Sequence, residues 1–325
     1  MGKIINLKNR ASFFVKPVSP YDFDSTVFKP SHYPDHLKFY EPGRYWFVLR
    51  LGNRVYGIKL VSKGTIRSPK VQVIIFSRTK LSKKELKEVI DEVSYRFEFQ
   101  KDISGFFKKF KNDKILSSFL KKWYGMHGSC AQDLYGLLMI GIFLQNTVIK
   151  RSIQMTDVML KKYGIKVKFD GKELYYFWKP EEMMKVSEEE LRALKVGYRA
   201  KLFRKVSETF VKERVDELKL RKLSVQKARK KLLKLYGVGP ETARILLTEA
   251  LHHYEIFDHV APWQQKIYSR LLFKKTLISP EKIIKYVRKK WGEWANLAAN
   301  YIFEDVFWQR EKGNKIEWLE KEIRR

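Results

Sequence analysis

Residues 235–243 constrain the fold of this chain more than any other stretch, because they combine two closely spaced glycines with a proline. Gly237 and Gly239 allow a turn that is too tight for side chains. Pro240 suits the first position of a helix, where its missing N–H group costs nothing. The pattern therefore predicts a basic helix, a tight turn and a second helix over residues 244–251. This arrangement would place anion-binding groups at a helix N-terminus, namely the backbone N–H groups of Gly237, Val238 and Gly239.

The charge balance favours phosphate binding at this turn over its alternative, an ordinary corner between two helices. The 325 residues include 67 Lys and Arg against 36 Asp and Glu, which leaves a formal net charge of +31. Such an excess attracts nucleic acid, and backbone contacts to phosphate would hold DNA without reading its sequence. The first helix would supply further positive charge for phosphate contacts through Arg229, Lys230, Lys231 and Lys234. The alternative role of these side chains is a solvated helix face.

A membrane surface is the rival partner for so basic a chain. No run of about 18 apolar residues is present, so we expect no membrane-spanning helix and no membrane partner. Residues 1–10 lack the apolar core of a signal peptide. These features favour a cytoplasmic, nucleoid-associated protein, and we expect a monomer. The many Lys and Glu residues also suggest a thermophilic source.

The first hundred residues are typical of a sheet with a helix behind it. Residues 45–49 and 55–60 are rich in β-branched and aromatic side chains and flank a tight-turn signal, which predicts a hairpin. Residues 71–76 predict a third strand. The sequence Ser82-Lys83-Lys84-Glu85 then has the spacing of a capping box at the start of a helix.

From residue 102 onward the apolar spacing is helical almost to the end, and residues 134–153 predict one strongly apolar helix. We therefore predict an α+β protein. A small antiparallel sheet domain would cover residues 1–100, and a larger, all-helical domain would cover residues 101–325.

Several motifs resemble the helix–hairpin–helix DNA glycosylase superfamily, in which such a hairpin precedes a catalytic aspartate. The main motif behind this resemblance is Leu-x-Gly-Val-Gly-Pro-x-Thr-Ala at residues 235–243. Residues 191–201 are similar to the segment before the hairpin in the alkylpurine and 8-oxoguanine glycosylases. Residues 143–147 resemble the segment that inserts a side chain into the DNA stack, and residues 20–23 fit the same two branches. The resemblance implies two helical subdomains around an active-site cleft and damaged double-stranded DNA as the partner.

The same resemblance implies that Asp258 is the catalytic residue. Cleaving an N-glycosidic bond builds positive charge on the sugar, and a fixed carboxylate stabilises that charge. The carboxylate can also activate the attacking water. An N-cap of the following helix is the alternative role for an aspartate at this position. Glu255 is the next candidate acid.

The resemblance also implies roles in handling the extruded base. Extrusion leaves a gap in the duplex, and the amides of Gln145 and Asn146 would fill it; a polar helix C-cap is their alternative role. Aromatic side chains would stack on the base, and the candidates are Trp263, Tyr198 and Trp294. Candidates for further DNA contact are Arg199, for which helix packing is the alternative, and Lys234.

Superfamily members that also cut the strand use a lysine two positions after the second glycine to form a Schiff base. Glu241 stands there in this chain. The resemblance therefore implies a monofunctional glycosylase that removes a damaged purine, with alkylated or deaminated adenine favoured, through water activated by Asp258. One alternative is a bifunctional 8-oxoguanine-type enzyme that uses Lys266 or Lys201 from outside the hairpin. The other is a non-catalytic helix–hairpin–helix DNA-binding protein.

Cysteine usage limits the cofactors. Cys130 is the only cysteine, which excludes internal disulfides, cysteine-ligated iron–sulfur clusters and cysteine-based zinc sites. The six histidines show no metal-ligand pattern on a helix. We expect no metal site and no cofactor, other than a monovalent or divalent cation that could bridge the hairpin to a phosphate.

Overall fold

The computed structural model describes residues 3–33, 36–314 and 316–320. The strands within these residues form a five-stranded and a three-stranded sheet. In chain order they are β1 (Lys3–Asn6), β2 (Asn9–Val15), β3 (Lys38–Glu41), β4 (Arg44–Leu51), β5 (Arg54–Ser62), β6 (Val71–Ser77), β7 (Ile165–Phe169) and β8 (Lys172–Tyr176).

Helices account for most of the remaining described chain. No described helix is both long enough and apolar enough to cross a bilayer. The helices are α1 (Phe23–Val27), α2 (Lys83–Arg96), α3 (Ser104–Phe110), α4 (Leu116–Lys122), α5 (Leu134–Leu144), α6 (Ile149–Tyr163), α7 (Pro180–Met183), α8 (Glu188–Ala193), α9 (Arg199–Lys212), α10 (Glu217–Leu220), α11 (Val225–Leu232), α12 (Pro240–Ile245), α13 (Pro262–Phe273), α14 (Pro280–Trp291), α15 (Ala295–Glu311) and α16 (Glu317–Glu320).

The larger sheet confirms the antiparallel sheet predicted for the first hundred residues. Its strand order is β2-β6-β5-β4-β3, and the predicted hairpin is β4–β5, with Val48 opposite Gly57. Helix α2 begins with the predicted capping box of Ser82 and Glu85. The helix buries Val89 against one face of the sheet, so that the sheet and the helix share a core.

The smaller sheet lies on the opposite face of the larger one and was not predicted. Strand β1 pairs in parallel with β7, which pairs with β8 in a hairpin. The two sheets are so close that a Cβ atom at Gly57 would collide with the ring of Phe169. The prediction that the chain is helical throughout residues 101–325 is wrong at this hairpin. The α+β class itself is confirmed.

The helices after residue 102 enclose two separate hydrophobic clusters. Helices α5, α6, α8, α9, α11 and α12 surround the first, while α3, α4, α13, α14 and α15 surround the second. The chain crosses between them just before Asp258, because Ile256 belongs to the first cluster and Phe257 to the second. The domain boundary at residue 100 stays a prediction, and residues 321–325 of the predicted helical domain lie outside the described residues.

The single helix predicted over residues 134–153 is two helices, α5 and α6, separated by a short loop. Asn146 in this loop has a φ of +46°, a left-handed conformation that interrupts a helix. The Ser152 hydroxyl donates a hydrogen bond of 2.8 Å to the carbonyl of Phe143, which joins the two helices across the break. The prediction failed because apolar spacing continues through the loop, whereas the backbone does not.

Asp133 joins the start of α5 to both sheets. Its Oδ1 accepts a hydrogen bond of 2.7 Å from the Gly136 N–H group, and its Oδ2 accepts one of 2.6 Å from the Tyr176 hydroxyl. Arg50 of β4 lies 3.4 Å from the same oxygen. Burial alone would raise the pKa of Asp133, but the positive charge of Arg50 and these hydrogen bonds outweigh burial and hold the pKa below its usual value.

We predict that Asp133→Asn lowers the free energy of unfolding by about 2–4 kcal/mol, because it removes one charge from a buried, hydrogen-bonded set. A depressed native pKa stabilises the fold above the ordinary pKa of aspartate, and that contribution disappears as the pH falls through the native value. Urea unfolding against pH measures both effects. Asp91→Asn is the control: it alters an exposed pair with Lys87 and should change stability by less than about 0.5 kcal/mol. Equal effects of the two substitutions would contradict the prediction.

Candidate active site

The predicted hairpin is confirmed as the α11–α12 pair. Gly237 has a φ of +72°, which favours glycine, and Gly239 is the N-cap of α12 with Pro240 in the first helical turn. Among the described residues, the N–H groups of Gly237 and Gly239 have no hydrogen-bond acceptor. The expectation for Val238 is wrong, because its N–H group donates to the Leu235 carbonyl at 3.1 Å and its side chain is buried. Two backbone donors therefore remain for an anion.

The basic side chains around the turn divide into two groups. Lys230, Lys231 and Lys234 are exposed, as a role in phosphate contact requires. Arg229, which was expected to join them, instead turns towards the loop between α12 and α13. Its Nη2 atom lies 2.5 Å from Oδ2 of Asp258. No local pattern in the sequence indicates this ion pair.

Asp258 lies in an irregular segment before α13. The neighbouring Phe257 and Val260 are buried and anchor this segment in the second hydrophobic cluster, while one third of the Asp258 side chain remains accessible. The N-cap of α13 is Ala261, and Pro262 follows it. The alternative role of Asp258 as the N-cap is therefore excluded. The carboxylate is fixed by its loop and by Arg229, and it remains open to solvent.

Glu241 joins the hairpin to the segment that carries Asp258. Its carboxylate accepts hydrogen bonds of 2.9 and 3.1 Å from Arg244, and it lies 3.2 Å from Nε2 of His259. A strand-cutting enzyme would carry a lysine at this position. This chain instead has a carboxylate there, and Arg244 and His259 are its partners. Glu255, the other candidate acid, is half-exposed and pairs with His253 at 3.1 Å.

The loop between α5 and α6 presents the two amides that were predicted to fill the gap in the duplex. The Asn146 side chain is exposed and donates to the Tyr198 hydroxyl at 3.3 Å. Tyr198 is 45% exposed and also lies within hydrogen-bonding distance of the Gln145 carbonyl. The structure thus places Tyr198 beside this loop, and none of its described contacts supports the predicted role in the base pocket.

Arg199 was predicted to contact DNA, and the structure contradicts this. The side chain is buried, and its guanidinium donates to the Ile142 carbonyl at 3.1 Å and to the Gln145 carbonyl. These carbonyls belong to the end of α5, where a helix leaves acceptors unpaired. Arg199 therefore caps α5 and positions the loop that carries Asn146, which is the packing alternative.

The two predicted pocket tryptophans differ. Trp263 lies in the first turn of α13, is 46% exposed and packs edge-on against Phe303 with 5.2 Å between ring centroids. It can therefore offer a ring face to a base. Trp294 packs against Phe106 at 5.5 Å and joins the second hydrophobic cluster. Its contacts indicate a packing residue, so its predicted pocket role is not supported. No group of three metal-ligating side chains occurs in the described part of the chain.

The antiparallel sheet, the two helical clusters and the Gly-Val-Gly-Pro hairpin agree with the fold of the helix–hairpin–helix DNA glycosylases, the class that the resemblance implies. No family model matches the chain. The comparisons with known proteins nevertheless point to this class.

Two curated relatives and one solved structure illustrate the similarity. A DNA-3-methyladenine glycosylase of Bacillus subtilis is 22% identical over 224 residues, which are 68% of this chain and 73% of the relative. A probable N-glycosylase/DNA lyase of Methanothermobacter thermautotrophicus is 25% identical over 236 residues, 67% and 74% of the two chains. The structure of Clostridium acetobutylicum 8-oxoguanine glycosylase/lyase with double-stranded DNA has a TM-score of 0.67 at 20% identity, covering 95% of this chain and 100% of the other. The resemblance found in the sequence is confirmed: the chain has the fold of the helix–hairpin–helix DNA glycosylase superfamily.

The two hairpin glycines allow a test of the phosphate site. A Cβ atom at Gly239 would meet open space, whereas Gly237 combines its positive φ with Leu202 at 3.2 Å from such a Cβ. We predict that Gly239→Ala keeps the stability of the protein but weakens its binding to damaged and undamaged duplex alike, because the methyl group obstructs a phosphate.

Gly237→Ala is the matched comparison, and it should lower the free energy of unfolding by about 1–2 kcal/mol. Thermal unfolding and a fluorescence-based DNA titration measure both variants. Loss of damage discrimination alone in Gly239→Ala, with affinity for undamaged DNA unchanged, would contradict the assignment of the hairpin to phosphate.

Proposed function

We propose that this protein is a DNA N-glycosylase of base excision repair that hydrolyses the N-glycosidic bond of a damaged purine, with alkylated or deaminated adenine favoured. The observation that carries the proposal is the state of Asp258. Its carboxylate is held by a buried loop and an ion pair, caps no helix and remains accessible. A protein that only gripped DNA through the hairpin would not need such a group.

Asp258 would act on the sugar. As the bond to the base breaks, positive charge develops on the deoxyribose, and a preorganised carboxylate stabilises it more than water does. The ion pair with Arg229 keeps the Asp258 carboxylate oriented. The same oxygen can accept a proton from the attacking water.

The surface around Asp258 fits duplex DNA. The free N–H groups of Gly237 and Gly239 and the exposed lysines near the hairpin would hold phosphates. The loop with Asn146, fixed by Arg199, would occupy the space left by the extruded base. Trp263, five residues after Asp258, would stack on that base. The monomeric state, the cytoplasmic location and a cation at the hairpin stay predictions.

The proposed reaction ends with an abasic site. Glu241 offers a carboxylate where an amine would be needed for strand cleavage, and its oxygens are occupied by Arg244 and His259. The bifunctional alternative would need an amine from outside the hairpin, with Lys201 and Lys266 as its candidates.

We predict that Asp258→Asn abolishes base release while folding and DNA binding persist, because the change keeps the shape and removes the charge. The expected loss is about 100-fold or more under single-turnover conditions. Release of 3-methyladenine, hypoxanthine and 8-oxoguanine from synthetic duplexes measures it. Glu255→Gln is the control in the same segment and should release the base at nearly the wild-type rate. Undiminished release by Asp258→Asn would remove Asp258 from the mechanism.

We also predict that the enzyme leaves the strand intact until alkali is added, because no amine occupies position 241. Borohydride added during turnover should therefore trap almost no covalent protein–DNA adduct. Efficient trapping would establish the bifunctional alternative. Trapping by the variants Lys201→Gln and Lys266→Gln would then identify the amine, since only the variant that lacks it would fail to form the adduct.

A further inference from the structure

Five polar side chains from three distant parts of the chain lie close together. We name this set the inner polar cluster; its members are Lys29, Ser31, His32, Glu249 and Glu304. The Ser31 hydroxyl donates to Oε1 of Glu304. Nε2 of His32 lies 3.9 Å from Oε2 of Glu249. The Lys29 ammonium donates to the Ser25 carbonyl at 2.6 Å, and Glu304 and Glu249 are the carboxylates that attract it most.

The cluster has a closed end and an open end. Lys29 and Glu304 are buried, whereas the side chains of His32 and Glu249 keep 35% and 39% of their accessible surface. At the closed end, Oε2 of Glu304 is buried without a hydrogen-bond partner among the described residues. An unpaired buried carboxylate oxygen is costly. The arrangement is therefore a polar recess that is accessible at His32 and Glu249, and its innermost acceptor lacks a donor in the described part of the chain.

The recess borders the elements that carry the active site. Glu249 lies in the π-helical turn Leu246–Ala250, which continues the second helix of the hairpin. Glu304 follows Phe303, the residue on which Trp263 packs. Tyr268 of α13 interacts electrostatically with Glu304 and also with Arg244 and Glu241, which link back to the neighbour of Asp258. These contacts connect Glu249 and Glu304 with the helices that carry Trp263 and with the residue next to Asp258.

The recess contains more carboxyl groups than cationic side chains. Burial, together with the negative charge of Glu304, raises the pKa of Glu249 to about 7 against the opposing charges of Arg244 and Lys29. Burial also raises the pKa of Glu304, while Lys29 lowers it. Burial lowers the pKa of His32 to about 3, so that its ring is neutral near pH 7. Lys29 therefore attracts two carboxyl groups, and Arg244, the other cation that acts on Glu249, is already paired with Glu241. A cation placed beside them would favour their ionised forms.

We propose that the inner polar cluster is the polar end of the pocket for the extruded base, and that Glu249 and Glu304 select bases that carry a positive charge, such as purines alkylated on a ring nitrogen. This inference rests on the proposed function and adds the chemical basis of lesion choice. Because the base loses its charge when it leaves the sugar, the carboxyl groups act on binding of the intact nucleotide rather than on bond cleavage. They are specificity residues, and Asp258 remains the catalytic residue.

Binding to uncleaved lesions tests the proposal directly. In the Asp258→Asn background, we would measure affinity for duplexes that contain 7-methylguanine, which is cationic in DNA, or hypoxanthine, which is neutral. Adding Glu249→Gln should weaken binding of the 7-methylguanine duplex about 10-fold and change binding of the hypoxanthine duplex less than about 3-fold. Glu293→Gln is the matched control, because Glu293 is exposed in the turn before α15 and pairs at 3.6 Å with Lys109, outside the cluster.

The outcomes separate the inference from the function on which it rests. Equal weakening for both duplexes, or no change in either, would show that the cluster is a structural ion network and would overturn the proposal. Glu304→Gln should repeat the selective loss; if it does not fold, Glu249→Gln at the accessible end carries the test alone. Selective binding in a protein that releases no base from any lesion would refute the proposed hydrolysis and leave the selectivity standing.

Discussion

The ion pair between Arg229 and Asp258 joins the proposed phosphate-binding hairpin to the segment that carries the proposed catalytic residue. Arg229 belongs to the first helix of the hairpin, and Asp258 to the segment beyond the second helix. The 2.5 Å contact holds the carboxylate next to the hairpin. If a phosphate binds at Gly237 and Gly239 as proposed, this contact would set where its sugar lies relative to Asp258. Without that coupling, the hairpin could bind DNA but could not place a particular glycosidic bond at the carboxylate.

This coupling needs a rigid support, which buried charges provide. Glu92 of α2 accepts hydrogen bonds from Arg96 on its own helix and from Arg221 just after α10, each at 2.7 Å. Asp133 joins α5 to both sheets in the same way. Such buried pairs contribute little net stability compared with apolar packing, but breaking one is costly. They therefore fix the sheets against the helices in one orientation, as a site built from both parts requires.

The sequence was sufficient wherever a local rule determines the backbone. The Gly-Val-Gly-Pro turn, the β4–β5 hairpin and the capping box of Ser82 and Glu85 all follow from residues close in the chain. The β7–β8 hairpin also carries a local signal in the sequence. Asp170 and Gly171, both with positive φ, lie between residues in which Lys and apolar side chains alternate. Contacts between segments that are far apart in the sequence have no such local signal. The pairing of Arg229 with Asp258, the burial of Arg199 and the convergence on Glu304 depend on how helices pack, which composition and spacing do not encode.

The charges around the proposed site complement the charges on the phosphate and the base of a nucleotide. Its phosphate is anionic, and the hairpin would meet it with free backbone donors and exposed lysines on a chain of net charge +31. The base is neutral or, when alkylated on a ring nitrogen, cationic, and the inner polar cluster would offer it the carboxyl groups of Glu249 and Glu304. A cationic base at the outer surface would be repelled by the same charges that attract the phosphate. The proposed sites therefore favour an alkylated nucleotide with its phosphate outward and its base inward. In that orientation Asp258, which contacts the hairpin through Arg229, would act on the sugar, where the charge develops.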